Sequence, residues 1–204
     1  LGFCMSYQRR HKIVSLLDDY GIPIIEDDVY SDLSFDGSRP PPLKSLPESD
    51  SIMLCGSVSK TLAPGLRLGW VAPGKYFEEV LRLKFISSLS TPTGNQMAVA
   101  EFLENGGYDR HLRKLQKNIA SIVDETSAIL TEAFPIQTMV TRPDGGAHLW
   151  VHLPHDVDSD LLYRRASAEN IVFAPGRVFS MCPETRYCLR LSCGQPVTSA
   201  RQRA

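Results

Sequence analysis

The sequence predicts an α/β domain with a parallel sheet, followed by a smaller α+β domain. Two observations predict this. In the first half, short apolar runs (Ile22-Pro23-Ile24-Ile25 and Ile52-Met53-Leu54-Cys55) alternate with segments of helical period. After Pro135 the period falls to two, and His148, Trp150 and His152 alternate with Leu149, Val151 and Leu153. The division is placed to give domains of residues 1–106 and 107–204.

Each element has its own signal. Ser6 is positioned to cap a helix running to about Tyr20, with Ile13, Leu16, Leu17 and Tyr20 at helical spacing and Gly21 as its stop. Residues 22–26 then read as a strand, buried and parallel because the run is continuously apolar. Residues 35–50, with Pro40-Pro41-Pro42 at their centre, read as a loop. Strands are expected at 52–55 and 68–72, and helices at 75–88 and 93–104. A long amphipathic helix over about 109–133 carries Leu112, Leu115, Ile119, Ile122, Ile129 and Leu130 on its apolar side. A helix near 158–169 and strands near 171–174 and 187–192 complete the second domain. Gly145-Gly146 reads equally as a hairpin turn or as a close approach to a substrate.

Composition bounds the function. The 204 residues are 43% hydrophobic, which is ordinary for a globular chain. No apolar run approaches the ~20 residues of a membrane-spanning helix. With 22 basic and 23 acidic side chains, the segment carries no electrostatic footprint for nucleic acid. Arg9-Arg10-His11-Lys12 therefore reads as a solvated helix face. Five cysteines without Cys-x-x-Cys spacing argue against a disulfide scaffold and fit a reducing cytoplasm. No metal is expected: His148 and His152 share a strand face, but no acidic or cysteine ligand stands close in sequence.

The chemistry centres on Lys60. It sits in Gly56-Ser57-Val58-Ser59-Lys60-Thr61-Leu62-Ala63-Pro64-Gly65-Leu66-Arg67-Leu68-Gly69-Trp70. A lysine forms a Schiff base with an aldehyde. Serine hydroxyls and an arginine fork hold a phosphate, and glycines let the backbone approach a ligand. An aldehyde that carries a phosphate describes pyridoxal 5′-phosphate (PLP). Upstream, Asp27 and Tyr30 follow the first strand, where ligands of open α/β sheets sit. A carboxylate there keeps the pyridine nitrogen protonated, so that the ring accepts electrons. Glu26 and Asp28 read as structural or solvated.

Together these segments resemble the fold type I PLP enzymes, specifically the class I/II aminotransferase superfamily. The matching stretches, in the family's order, are Ile25–Tyr30, Ser57–Lys60 with Gly65–Gly69, Gly145–Trp150, Ala174–Phe179 and Leu189–Ser192. The resemblance implies that Lys60 is the Schiff-base lysine, Asp27 the pyridine-nitrogen carboxylate and Tyr30 the phenol at the 3′ oxygen. It implies phosphate ligands at Ser57, Ser59 and Arg67. Arg190 matches the arginine that grips the substrate α-carboxylate, with an internal Asp or Glu as the alternative partner. It also implies a homodimer. The family's preceding asparagine segment, glycine-rich phosphate loop, stacking aromatic and final amphipathic helix are not in this chain. The chain is therefore expected to be a fragment holding part of the large-domain sheet.

Leu1–Ser6, Arg9-Arg10, Glu26–Tyr30 and Ser59–Trp70 look most like the aminotransferase-like domain of MocR/GntR-type transcriptional regulators. That resemblance implies a domain that senses an amino acid or PLP adduct, with DNA bound only through an N-terminal domain outside this chain. The alternative is a free-standing aminotransferase that moves an amino group from an amino acid to a 2-oxo acid. A third reading is a fragment that binds nothing.

Overall fold

The computed structural model describes residues 2–47 and 49–196. The terminal stretch 199–204, expected to lack a final amphipathic helix, lies outside the described residues. The chain forms two compact units, Cys4–Leu115 and Leu1–Phe3 with Gln116–Ala204.

In the first unit, helix α1 spans Tyr7–Asp19. Ser6 occupies the cap position, but its side chain makes no capping bond. Its backbone carbonyl instead accepts from the Arg9 and Arg10 amides at 3.0 Å. The helix ends as expected at Gly21, whose φ of +64° suits a residue without a Cβ. Ile22 N–H then closes on Leu17 O at 2.8 Å. Arg10 departs from the solvated reading. Its guanidinium bonds the carbonyls of Met5 and Pro41 and so ties the helix to the proline loop.

Strands β1 (Ile24–Asp27) and β2 (Ile52–Ser57) pair in parallel, with Ile24 opposite Ile52 and Asp27 opposite Cys55. Strand β3 (Gly69–Ala72) runs antiparallel to β2. The expected two-sided burial fails. Ile52 is fully buried with Val14 and Leu46, and Ile24 packs against that cluster, but Ile25 is 70% exposed and Trp70 52%. Side chains alternate across the sheet, and among the described residues only one face has a covering core. Gly56 is needed by packing: a Cβ there would collide with the Trp70 indole on the next strand. A Cβ on Gly69 would press to 2.8 Å from Gly56 O. Neither glycine is therefore explained by ligand approach alone. Helices α2 (Phe77–Ser88) and α3 (Thr93–Glu104) follow.

Helix α4 spans Gly107–Ala133 and buries Ile119, Val123 and Leu130. The second unit holds an antiparallel sheet in the order β4-β5-β7-β6, formed by Met139–Val140, His148–His152, Cys188–Ser192 and Ala174–Pro175. Its alternation is as expected: Leu149 and Val151 are fully buried, and Leu189 is opposite Val151. Helix α5 (Ser159–Ala168) is capped by Asp158, whose carboxylate accepts from the Asp160 and Leu161 amides. The strand expected at 171–174 begins only at Ala174. Asn170 takes a left-handed φ of +62°, and Ile171 N–H closes the helix on Ala166 O at 2.9 Å. That capping bond occupies the amide a strand would have used.

Candidate active site

The strand ends create the site of the first unit. Asp27 closes β1 and Ser57 closes β2, so two parallel strands deliver their last residues to the same sheet edge. Ligands bind at that edge in open α/β sheets. Asp27 is exposed, and its Oδ1 accepts the Val29 amide at 3.3 Å. Its charge also raises the neighbouring Cys55 thiol, after the larger effect of burial.

Lys60 is exposed on the turn after β2, and its Nζ lies 5.5 Å from the centre of the Tyr30 ring. The structure thus brings Lys60 and Tyr30 together, although 30 positions separate them in the sequence. The two serines also meet. Ser57 Oγ is 2.9 Å from Leu68 O, 3.0 Å from Ser59 Oγ and 3.1 Å from Ser59 N. A hydroxyl has one proton to give. With the Ser57 proton on Leu68 O, the Ser59 hydroxyl donates its own proton to Ser57 Oγ, and it turns away from Ser57 to donate to an incoming anion.

Arg67 has φ +49° and ψ +41°, left-handed backbone that a side-chain-bearing residue adopts at a cost of order 1–3 kcal/mol. Asn95 Nδ2 donates to Leu66 O at 2.8 Å and holds this turn from α3. The Arg67 guanidinium is exposed and reaches the Pro64 carbonyl at 3.3 Å. Two hydroxyls, one guanidinium and a lysine amine are a donor set that fits a phosphate-bearing aldehyde.

Glu26 and Asp28 are structural, as expected. The Glu26 carboxylate accepts the Leu43 and Lys44 amides at 2.7 and 3.1 Å. Asp28 pairs with Arg39 at 2.5 Å.

In the second unit, Arg190 is half-buried on β7, opposite Trp150. Its guanidinium carbon stands 4.6 Å over the Phe179 ring, and Phe179 meets Trp150 edge to face at 5.7 Å. Among the described residues no carboxylate lies within 4.0 Å of Arg190, so the internal ion pair considered for it is not formed there. Cys188 lies on the same strand face, with its Sγ 3.4 Å from His152 Nδ1, and burial pushes its thiol up.

The profile of the family described as aminotransferase class I and II matches residues 1–202. The chain belongs to this family. Its relatives include proteins that regulate and proteins that catalyse. An uncharacterised HTH-type transcriptional regulator of Escherichia coli, YjiR, is 38% identical over 100% of this chain and 43% of the regulator. A multiple substrate aminotransferase from Thermococcus profundus superposes with a TM-score of 0.88 at 32% identity, over 99% of this chain and 50% of that one. LysN, the α-aminoadipate aminotransferase of Thermus thermophilus, superposes with a TM-score of 0.80 at 30% identity, over 93% of this chain and 49% of its own. That structure is complexed with N-(5′-phosphopyridoxyl)-L-leucine. The aminotransferase-like chain spans about half the length of these relatives. Its fold is fold type I of the PLP-dependent transferases, and PLP is the cofactor of this family.

Sequence reasoning missed four groups beside Lys60. Tyr108 bonds Asp32 and Thr61, and Arg39 bridges Asp28 and Asp32. Tyr108 lies 47 and 76 residues from its partners. No local motif announces pairs so far apart.

Proposed function

We propose that this domain binds PLP through Lys60 and serves as the effector-sensing domain of a MocR/GntR-type transcriptional regulator. The observation that carries the cofactor reading is Lys60 Nζ over the Tyr30 ring, beside the strand ends that bear Asp27 and Ser57. The regulator reading is supported by the 38% identity to an HTH-type regulator along the whole chain.

When bound, PLP supplies an aldehyde that takes up amines and a ring that accepts an electron pair. Lys60 supplies the anchoring amine. Its Nζ would also be the base within reach of a substrate α-proton. The Asp27 carboxylate would hold a proton on the pyridine nitrogen, and Tyr30 would offer a phenol next to the lysine. Ser57, Ser59 and Arg67 would hold the phosphate. Arg190, its face covered by Phe179, offers a guanidinium fork to the α-carboxylate. In the regulator, amino-acid capture by these groups shifts the arrangement of the full-length protein. That protein works as a homodimer in the cytoplasm and meets DNA through another domain.

The aminotransferase reading is favoured by the presence of Lys60, Asp27 and Arg190 in the sequence, residue types that amino-group transfer uses. Gel shift of the full-length protein on its own upstream DNA, with and without PLP, separates the two. A discrete complex that PLP alters is expected. Fast transfer between an amino acid and a 2-oxo acid, with no DNA complex, overturns the regulator reading.

A further inference from the structure

None of the roles above engages Thr61, Tyr108, Asp32 or Arg39. Thr61 directly follows Lys60 and is buried. Its hydroxyl lies 3.1 Å from the Tyr108 hydroxyl, and its carbonyl lies 2.7 Å from His111 Nε2. Tyr108 lies 2.8 Å from Asp32 Oδ2. Arg39 reaches Asp32 at 3.3 Å and Asp28 at 2.5 Å.

The proton directions follow from chemistry. A carboxylate only accepts, so the phenol donates to Asp32. A phenol has one proton, so Thr61 donates to the Tyr108 oxygen. His111 faces a carbonyl, so its Nε2 carries a proton. Burial first, and then the bond to Asp32, push Tyr108 up to about 12, against a lowering by Thr61. The phenol keeps its proton at neutral pH.

Both ends of this chain of bonds touch the candidate site. Thr61 adjoins Lys60. Asp28 adjoins Asp27, and Asp32 belongs to the short 3₁₀ turn Ser31–Leu33 that follows Tyr30. We propose that Thr61, Tyr108 and Asp32 form a positioning relay that sets the spacing between the Lys60 turn and the Asp27–Tyr30 loop. It rests on the cofactor reading of Lys60. None of its members touches the cofactor; they act through the backbone that carries Lys60 and Tyr30. Such control matters because a displacement of about 1 Å between reacting groups costs rate on the order of 100-fold.

The test uses the full-length protein with Tyr108→Phe, which keeps the ring and removes the hydroxyl, and with Thr61→Val and Thr61→Ser. Amide exchange without cofactor reads the coupling directly. Tyr108→Phe is expected to speed exchange at both the Leu62 amide, bonded to Val58 O, and the Leu33 amide, bonded to Tyr30 O, while the β5 and β7 amides stay unchanged. Faster exchange in one segment only, in neither, or throughout the protein overturns the relay. Borohydride-stable labelling of Lys60 by PLP is the second readout. Thr61→Val loses one buried hydrogen bond, and labelling per folded molecule about 10-fold slower, about 1.4 kcal/mol, is expected; Tyr108→Phe loses two and should be slowed at least as much. Thr61→Ser, which keeps the hydroxyl, is expected to restore it. The double variant Thr61→Val/Tyr108→Phe should be no slower than Tyr108→Phe alone, which already breaks both bonds. Unchanged labelling in both single variants, or multiplied losses in the double, overturns the proposal. A wild-type protein that takes no label at Lys60 defeats the cofactor reading instead, and the exchange result then decides the relay alone.

Discussion

The sheet that leads to Lys60 and the sheet that carries Arg190 are ordered by different forces. In the second, alternation is complete along β5: Leu149 and Val151 are fully buried on one face, and His148, Trp150 and His152 stand half-buried on the other. In the first, one face packs on Val14, Leu46 and Ile52, and the other leaves Ile25 and Trp70 open. The side chains of the candidate site, Lys60, Asp27 and Arg67, are exposed too. The second sheet is thus defined by apolar burial. The turns of the first are defined by polar bonds between distant segments, such as Glu26 to the Leu43 and Lys44 amides and Tyr108 to Asp32. A turn that presents polar groups to a ligand cannot bury them, so hydrogen bonds hold it instead.

Substitutions sharpen or break this contrast. Lys60→Ala should remove borohydride-stable PLP incorporation from the full-length protein entirely. A peptide map with the label on another lysine would end the assignment. Asp27→Ala should leave cofactor bound through the phosphate groups yet slow half-transamination at least ~100-fold, about 2.7 kcal/mol. Rates within about 3-fold of wild type would remove its electron-sink role.

In the second sheet the effect should fall on stability. Leu149→Ala, at a fully buried position, should cost about 2–5 kcal/mol in denaturant unfolding. Its counterpart Ile25→Ala, 70% exposed in the first sheet, should stay within ~0.5 kcal/mol. A large Ile25 effect in the full-length protein would mean that this face is covered there, and the contrast between the sheets would narrow.

The smallest effect is alkaline. Tyr108 is raised from 10.0 to about 12, so its protonated form is favoured by folding. Its contribution is complete below pH 10 and is lost as pH rises through about 12. Ultraviolet titration should show one tyrosinate step near that value that Tyr108→Phe lacks. A wild-type titration without a late step would show the phenol to be ordinary.

Much of this was legible in the residues. The helical period marked α2, α3 and most of α4 to within two residues at their ends. Period two marked β5 and its inward Leu149 and Val151. The Lys60 segment pointed to the family and its cofactor because lysine, hydroxyls and arginine lie close together, from Ser57 to Arg67. Illegible were the silent side chain of Ser6, the late start of β6 and the exposure of Ile25. Each turns on which competing partner a group finds, and composition does not name partners.

By itself, the sequence determined whatever contiguous residues can specify. That includes the helix spans, the buried face of β5, and a lysine set among hydroxyls and an arginine. Period and propensity act over a few turns of chain and are read directly from neighbours. The tertiary structure alone decided that Lys60 stands over Tyr30, that Arg67 turns left-handed, and that Thr61 reaches Asp32 through Tyr108. Those partners lie tens of residues apart. Only closure of the chain around its core brings them within hydrogen-bond range, and the cost of that closure is met collectively, leaving no local pattern to mark the pair.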